Sequence, residues 1–203
     1  IDINTEIDKF ERVYKSMSEK LNNNVLRNVY YLYLSDIQGS ENLALDYLRL
    51  CYKYGIDINL AKNNETIILV DKYCKRVSGE AHSFTGFVRF KEIGPLSYYS
   101  VIEPDHNILP IILRHFTNRF SDQNFIIHDL KREKAIVYNT KEAIITDLTK
   151  EQGEKLSNKI DDSDFENLWR TFYNSVNIEE RKNHKCRNQH MPRRYWKHLT
   201  ELQ

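Results

Sequence analysis

The chain has too few cysteines for a disulfide-built fold: Cys51, Cys74 and Cys186 are an odd number and form no CxxC pair, so a reducing, cytoplasmic setting is expected. It lacks any apolar run approaching the roughly 18 residues of a membrane helix. Its opening residues, IDINTEIDKF, read as neither a signal peptide nor a transit peptide. A soluble protein with no membrane partner is therefore expected. Because the sequence begins at Ile1 and not at Met, an upstream segment is expected as well. Glycine is scarce, at six residues, and none of them builds a GxGxxG turn, a P-loop or a GxSxG elbow. Dehydrogenase and hydrolase classes receive no support, and no cofactor is expected.

What is present is a foldable composition. Of 203 residues, 12% are aromatic and 40% hydrophobic, enough apolar surface to offset the ordering entropy that leaves polar chains disordered. The formal net charge is only +1, yet the charge is segregated. Residues 1–80 and 81–145 are each close to balance, residues 146–180 carry an excess of acids, and residues 181–203 set seven bases against Glu201. From Arg181 to His198 the stretch RKNHKCRNQHMPRRYWKH contains no acid.

A single domain over residues 1–203 is expected, in three parts. Residues 1–80 read as helices. Ile7, Phe10, Val13, Tyr14, Met17 and Leu21 recur at three- and four-residue steps behind a Thr5 cap. VLRNVYYLYL supplies a second helix, and a third opens at Ser40 and stops at Gly55. A fourth is expected from about Thr66 to Val77, ending at Gly79. Residues 81–147 change period: Phe84, Gly86, Val88 and Phe90 alternate with Thr85, Phe87 and Arg89, as a strand would. Gly94 and Pro95 then mark a hairpin turn. A helix from about Asn107 to Phe120, capped by Asn107, is followed by FIIHDL, KAIVYN and EAIIT as short strands. In residues 148–203, Thr149 with Gln152 and Ser163 with Glu166 have capping-box spacing for two closing helices. The expected class is α+β: N-terminal helices, a small antiparallel sheet with an inserted helix (ββαββ, with room for a fifth strand), and C-terminal helices ending in a basic segment.

Two sets of residues carry candidate chemistry. In the middle, Asp105 and His106 sit where a strand meets a helix, a place whose free N–H groups favour an anion. His115 falls on the apolar stripe of that helix, one turn before Arg119; such a histidine is more often a satisfied core residue than a catalyst. Asp129 and Arg132 lie at a strand end, with His128 facing the opposite side of the strand from Asp129. Asp105, His106, His115 and Asp129 are thus the candidate catalytic residues. At the C-terminus, Arg181, Lys182, Lys185, Arg187, Arg193, Arg194 and Lys197 can neutralise phosphates, with Tyr195 and Trp196 as flat surfaces for bases. Arg119 and Arg132 join them as candidate nucleic-acid contacts. His184, Cys186 and His190 have metal-donor chemistry but not the paired spacing of a structural zinc site, so no metal is expected.

The blocks HSFTGFVRF, EPDHNILPIILRHFTNRFSDQNFIIHDLKR and RKNHKCRNQHMPRRYWKHLTEL together resemble a bacterial family of DNA-metabolism and DNA-repair proteins of undefined activity, over nearly the whole chain. The resemblance implies association with DNA, often beside a radical S-adenosylmethionine protein and sometimes in fusion with a uracil-DNA glycosylase-like domain. It supplies no reaction. The chain has no CxxxCxxC motif, so any iron–sulfur chemistry would belong to the partner. Three functions are carried forward: a DNA-binding accessory protein acting with a partner enzyme, a nucleic-acid-processing enzyme with a His/Asp/Arg pocket, and a protein-interaction module.

Overall fold

The computed structural model describes residues 6–157 and 163–202, with the side chains of residues 163–166 and 179 outside that set. The chain divides into two compact units, Ile1–Gly79 and Glu80–Gln203.

The first unit is helical: α1 (Ile7–Lys20), α2 (Asn23–Leu34), α3 (Ser40–Tyr54) and the opening turns of α4 (Glu65–Phe87). Asn22 starts α2 by accepting the Val25 N–H at 3.0 Å, which satisfies one of the donors every helix start leaves open. Gly55, at φ 77, ends α3 in a conformation that costs glycine little. Leu21, Val25, Leu32, Tyr47, Cys51, Ile67, Val70 and Cys74 form the core. The Tyr47 hydroxyl is held between Asn28, which donates to it at 3.1 Å, and Asn59, to which it donates at 2.7 Å. The α1 stripe is only half used. Met17 packs on the core, but Ile7, Phe10, Val13 and Tyr14 are all more than half exposed. Thr5, expected as its cap, lies outside the described residues.

The second unit holds the sheet. Its first element is the end of α4, and here the structure corrects the sequence reading: residues 82–87 are helical, and β1 begins only at Lys91. Ala81 and Phe84 are buried at helical spacing, with Phe87 packed against the same core, so the alternation of aromatic and small residues served a 3.6-residue period and not a period of two. Next come β1 (Lys91–Gly94), β2 (Ser97–Ile102), α5 (Leu109–Arg119), β3 (Asn124–Asp129), β4 (Lys134–Tyr138) and β5 (Ala143–Asp147). They are followed by α6 (Lys150–Ser157), α7 (Ser163–Ser175), α8 (His184–His190) and a 3₁₀ turn at Arg193–His198. The fold is α+β, with helices at both ends and a helix inserted in the sheet. The order is β1-β2-β3-β4-β5. Three of the pairings are antiparallel; β2 and β3 run parallel, Tyr98 beside Phe125, because α5 carries the chain back across the sheet between them.

Local chemistry explains the boundaries. Pro110 lies in the first turn of α5, where its missing N–H costs nothing. The N-cap there is Ile108, one residue beyond the expected Asn107, and no side chain caps it. Thr149 and Gln152 form the reciprocal box that starts α6, with Gln152 N–H to Thr149 Oγ1 at 3.3 Å and Thr149 N–H to Gln152 Oε1 at 2.9 Å. The Ser163 and Glu166 spacing falls on side chains outside the described residues. Ile102, Ile108, Leu109, Ile112, Phe116, Phe125, Ile127 and Ile136 fill the space between α5 and the sheet. No helix among the described residues is long and apolar enough to cross a membrane.

Candidate nucleic-acid interface

The basic segment folds around one aromatic ring. Asn183 caps α8 by accepting the Cys186 N–H at 2.9 Å on its side-chain oxygen. One turn into α8, Arg187 lies with its guanidinium carbon 4.7 Å from the centre of the Trp196 ring, and Arg193 lies 5.6 Å from the same centre. The indole is anchored in turn by its N–H, which donates to the Met191 carbonyl at 2.9 Å. Cations over an indole are attracted by the ring's negative face, which biases both forks toward Trp196 before any ligand arrives. Arg181, Lys182, Lys185 and Arg193 are exposed, and Arg187 is half-buried. Among the described residues, no carboxylate forms a salt bridge with Arg181, Lys185, Arg187 or Arg193.

The neighbouring aromatic does the opposite. Tyr195 is 3% exposed, its ring centre 4.9 Å from that of Phe84 and 5.9 Å from that of Phe87. That burial removes it as a stacking surface for bases. Its hydroxyl donates a short hydrogen bond to Glu80 Oε1. Burial, with the Glu80 carboxylate beside it, raises the Tyr195 pKa, so the phenol remains a proton donor throughout the physiological range. The two carboxylate oxygens of Glu80 also accept the backbone N–H groups of Asp105 and His106, each at 2.8 Å. These are the N–H groups that the sequence offered as an anion site. The protein fills that site with its own carboxylate.

Around this tie, the remaining candidates divide. Arg194 donates to the Tyr195 hydroxyl at 2.9 Å and pairs with Asp105 Oδ2 at 2.8 Å. Lys197 pairs with Glu103 at 2.5 Å. Arg132 is enclosed, its side chain 11% exposed. It donates to Asp129 Oδ2 at 2.8 Å and to the carbonyls of Pro104 and Asp105 at 3.2 and 2.8 Å, so it braces the loop after β2 and is not placed to grip phosphate. Asp129 is fully buried, and its Oδ1 accepts the N–H groups of Lys131 and Arg132. Burial raises its pKa, while the Arg132 ion pair and the two N–H bonds pull it back down. It is a structural carboxylate. His115 is exposed on α5, edge-on to Phe116, and not in the core as its place in the stripe suggested. Arg119 is exposed one turn on. Neither shares a hydrogen bond or ion pair with the Asp105 loop among the described residues. Asp105, His106, His115 and Asp129 therefore do not converge as one acid–base set. Among the described residues, no three His, Cys, Asp or Glu side chains gather as metal ligands.

Two carboxylates of the second unit carry no role in the sequence reading. Glu80 follows Val77 and precedes Ala81 and Phe84 on one helical face; a carboxylate on an apolar face, once α4 is extended, signals buried donors waiting for it. Glu201, the lone acid of the tail, receives Arg89 through two bonds, 2.5 and 3.1 Å, and the Trp169 indole N–H at 3.0 Å. That long-range pairing leaves no local signal.

The histidines give the unit a pH dependence. His128 is fully buried. Its Nε2 lies 2.8 Å from the Leu148 carbonyl, which can only accept, so Nε2 carries the proton and Nδ1 accepts the Tyr99 hydroxyl at 2.7 Å. Burial lowers its pKa below the ordinary 6.5. Burial also lowers the His198 pKa from 6.5, against the pull of Glu103. A histidine kept neutral in the fold but ordinary when unfolded makes the unfolded state bind more protons below pH 6.5, so stability falls as pH drops through that region. Glu103 and Glu201 are opposed by burial, but Lys197 and Arg89 bring their pKa values below 4.5, so a second loss follows as the pH falls below that. Urea midpoints are expected to be lower at pH 5.5 than at pH 7.5 and lower again at pH 4; a flat profile over the first interval would contradict neutral His128 and His198.

Compared with known proteins, residues 38–201 match the family model of a domain of unknown function, DUF4130. No curated protein matches the chain, and no solved structure does.

Proposed function

We propose, for a chain that belongs to the DUF4130 family, that the segment from Arg181 to Trp196 is a nucleic-acid contact surface and that the protein serves as a DNA-binding accessory of a repair or modification enzyme. The observation that carries the reading is the sorting of the cations. Arg194 and Lys197 are matched to Asp105 and Glu103. Arg181, Lys185, Arg187 and Arg193 have no carboxylate partner among the described residues, and two of them are held over Trp196. A cation kept only for solubility gains nothing from being fixed. One kept for phosphate loses less rotamer freedom on binding if its fork is already oriented. Trp196 then acts as the organiser of two arginines, and a base stacks on a guanidinium plane more readily than on the indole they cover. The resemblance to DNA-repair proteins supports DNA as the polyanion and an enzyme of the radical S-adenosylmethionine or uracil-DNA glycosylase kind as the partner.

The test is titration of a labelled single strand with the full chain. Replacing Arg187 or Arg193 by Ala is expected to weaken binding and to make the dependence of log K on log salt shallower by about 0.7 for each phosphate no longer neutralised. Trp196→Ala should weaken binding although it removes no charge. Variants that bind like the parent at every salt concentration would remove the basis of the proposal.

A further inference from the structure

A second feature of the same unit has the chemistry of a base pocket. A cleft of about 200 Å³ opens between the end of α5 and the β1–β2 hairpin, lined by Phe90, Tyr98, Phe120, Gln123 and Phe125. Its volume is below the roughly 300 Å³ where drug-sized sites begin, which suits one planar ring system. The walls are packed aromatic rings. Phe90 lies edge-on to Phe120 and Phe125, with ring centres 5.2 and 5.8 Å apart, and Phe125 is buried in the core beneath them. The polar groups are few: the Gln123 amide and the Tyr98 hydroxyl, neither in a protein hydrogen bond among the described residues. Next to Phe120 in the chain, exposed Arg119 holds its guanidinium 5.8 Å from the centre of the Phe120 ring.

Aromatic walls alone would also suit a quaternary ammonium group. That ligand is disfavoured here, because no carboxylate lines the cleft and a guanidinium lies against the Phe120 ring. The combination of π faces, one amide with both donor and acceptor, one hydroxyl and a cation at the mouth matches a flat heterocycle attached to a phosphate. We propose that this cleft receives one unstacked nucleobase of a bound strand. Phe90 and Phe120, packed edge-on against each other, form one wall against its ring, Gln123 and Tyr98 bond its edge, and Arg119 meets the adjoining phosphate. The inference rests on the reading of the Arg181–Trp196 segment as a nucleic-acid surface, and it gives that reading a preference for unpaired over paired DNA.

The experiment compares two single strands of equal length and phosphate count, one with ordinary bases and one abasic throughout, together with a paired duplex. The full chain and the variants Gln123→Ala, Tyr98→Phe and Arg119→Ala are used, each checked for a parent-like thermal transition. The intact strand is expected to bind more tightly than the abasic strand by on the order of tenfold. Gln123→Ala should weaken the intact strand by about fivefold and leave the abasic strand unchanged. Arg119→Ala should weaken both. Equal binding of intact and abasic strands, or a Gln123→Ala effect that is the same on both, overturns the base pocket while leaving the basic segment's reading in place. If no strand binds at all, both fall together.

Discussion

Glu80→Ala is expected to destabilise the sheet-containing unit by about 3–5 kcal/mol. Glu80 is 9% exposed and serves three donors: the Asp105 N–H, the His106 N–H and the Tyr195 hydroxyl. Deleting the carboxylate leaves all three without an acceptor, and Tyr195 sits where water does not reach. An orphaned buried donor costs more than a hydrogen bond contributes, because its desolvation is no longer compensated. Glu80→Gln is the informative companion. Its amide keeps one oxygen but turns an NH₂ group toward a backbone N–H, so one acceptor is removed and two donors face each other. Its cost should fall between parent and Ala. Urea denaturation gives the magnitude, and hydrogen exchange at the Asp105 and His106 amides gives the location. A loss below about 1 kcal/mol for Glu80→Ala would mean that this tie is peripheral.

Gly153→Ala is the second. Glycine at this position is a matter of space, not of backbone conformation: a Cβ would stand 2.5 Å from both His128 Nδ1 and the Tyr99 hydroxyl oxygen, and 2.7 Å from His128 Cε1. Those atoms cannot easily move aside. Tyr99 and His128 are bonded to each other at 2.7 Å, and the far nitrogen of His128 is fixed on Leu148 at 2.8 Å. Overpacking a locked site of this kind costs about 2–3 kcal/mol. Tyr99→Phe alone should also destabilise, since it leaves Nδ1 of His128 without its donor. The two changes together are expected to cost less than their sum, because removing the hydroxyl removes one of the collisions. A double-mutant cycle measures the coupling, and strict additivity would contradict the packing described.

How much of the fold and site is legible in the residues depends on how local each signal is. Gly55 and the Thr149–Gln152 pair are self-contained instructions, and the structure follows both. The stretch from Ala81 to Phe87 is not legible, because aromatic residues separated by small ones satisfy a strand and a helix equally well until the core they face is known. Asn107 misses capping α5 by one residue, within the scatter expected of helix ends. The parallel pairing of β2 and β3 is a consequence of topology that no residue announces. At the site, the sequence shows Tyr195 and Trp196 side by side as if equivalent. In a 3₁₀ turn consecutive side chains point about 120° apart, so one enters the core and the other stays among the arginines. Charge segregation in the tail is visible. Which cations find carboxylates is not, because Glu103 and Asp105 lie some ninety positions earlier in the chain.

The proposed contact joins the Arg187–Trp196–Arg193 group, with Arg181 and Lys185 beside it in the chain, to a polyanion. The most direct measurement is the affinity of the full chain for a labelled single strand as a function of salt concentration. Engagement of about four phosphates predicts a straight line of log K against log salt with a slope near −3. A slope indistinguishable from zero, or no binding at low salt, would contradict it.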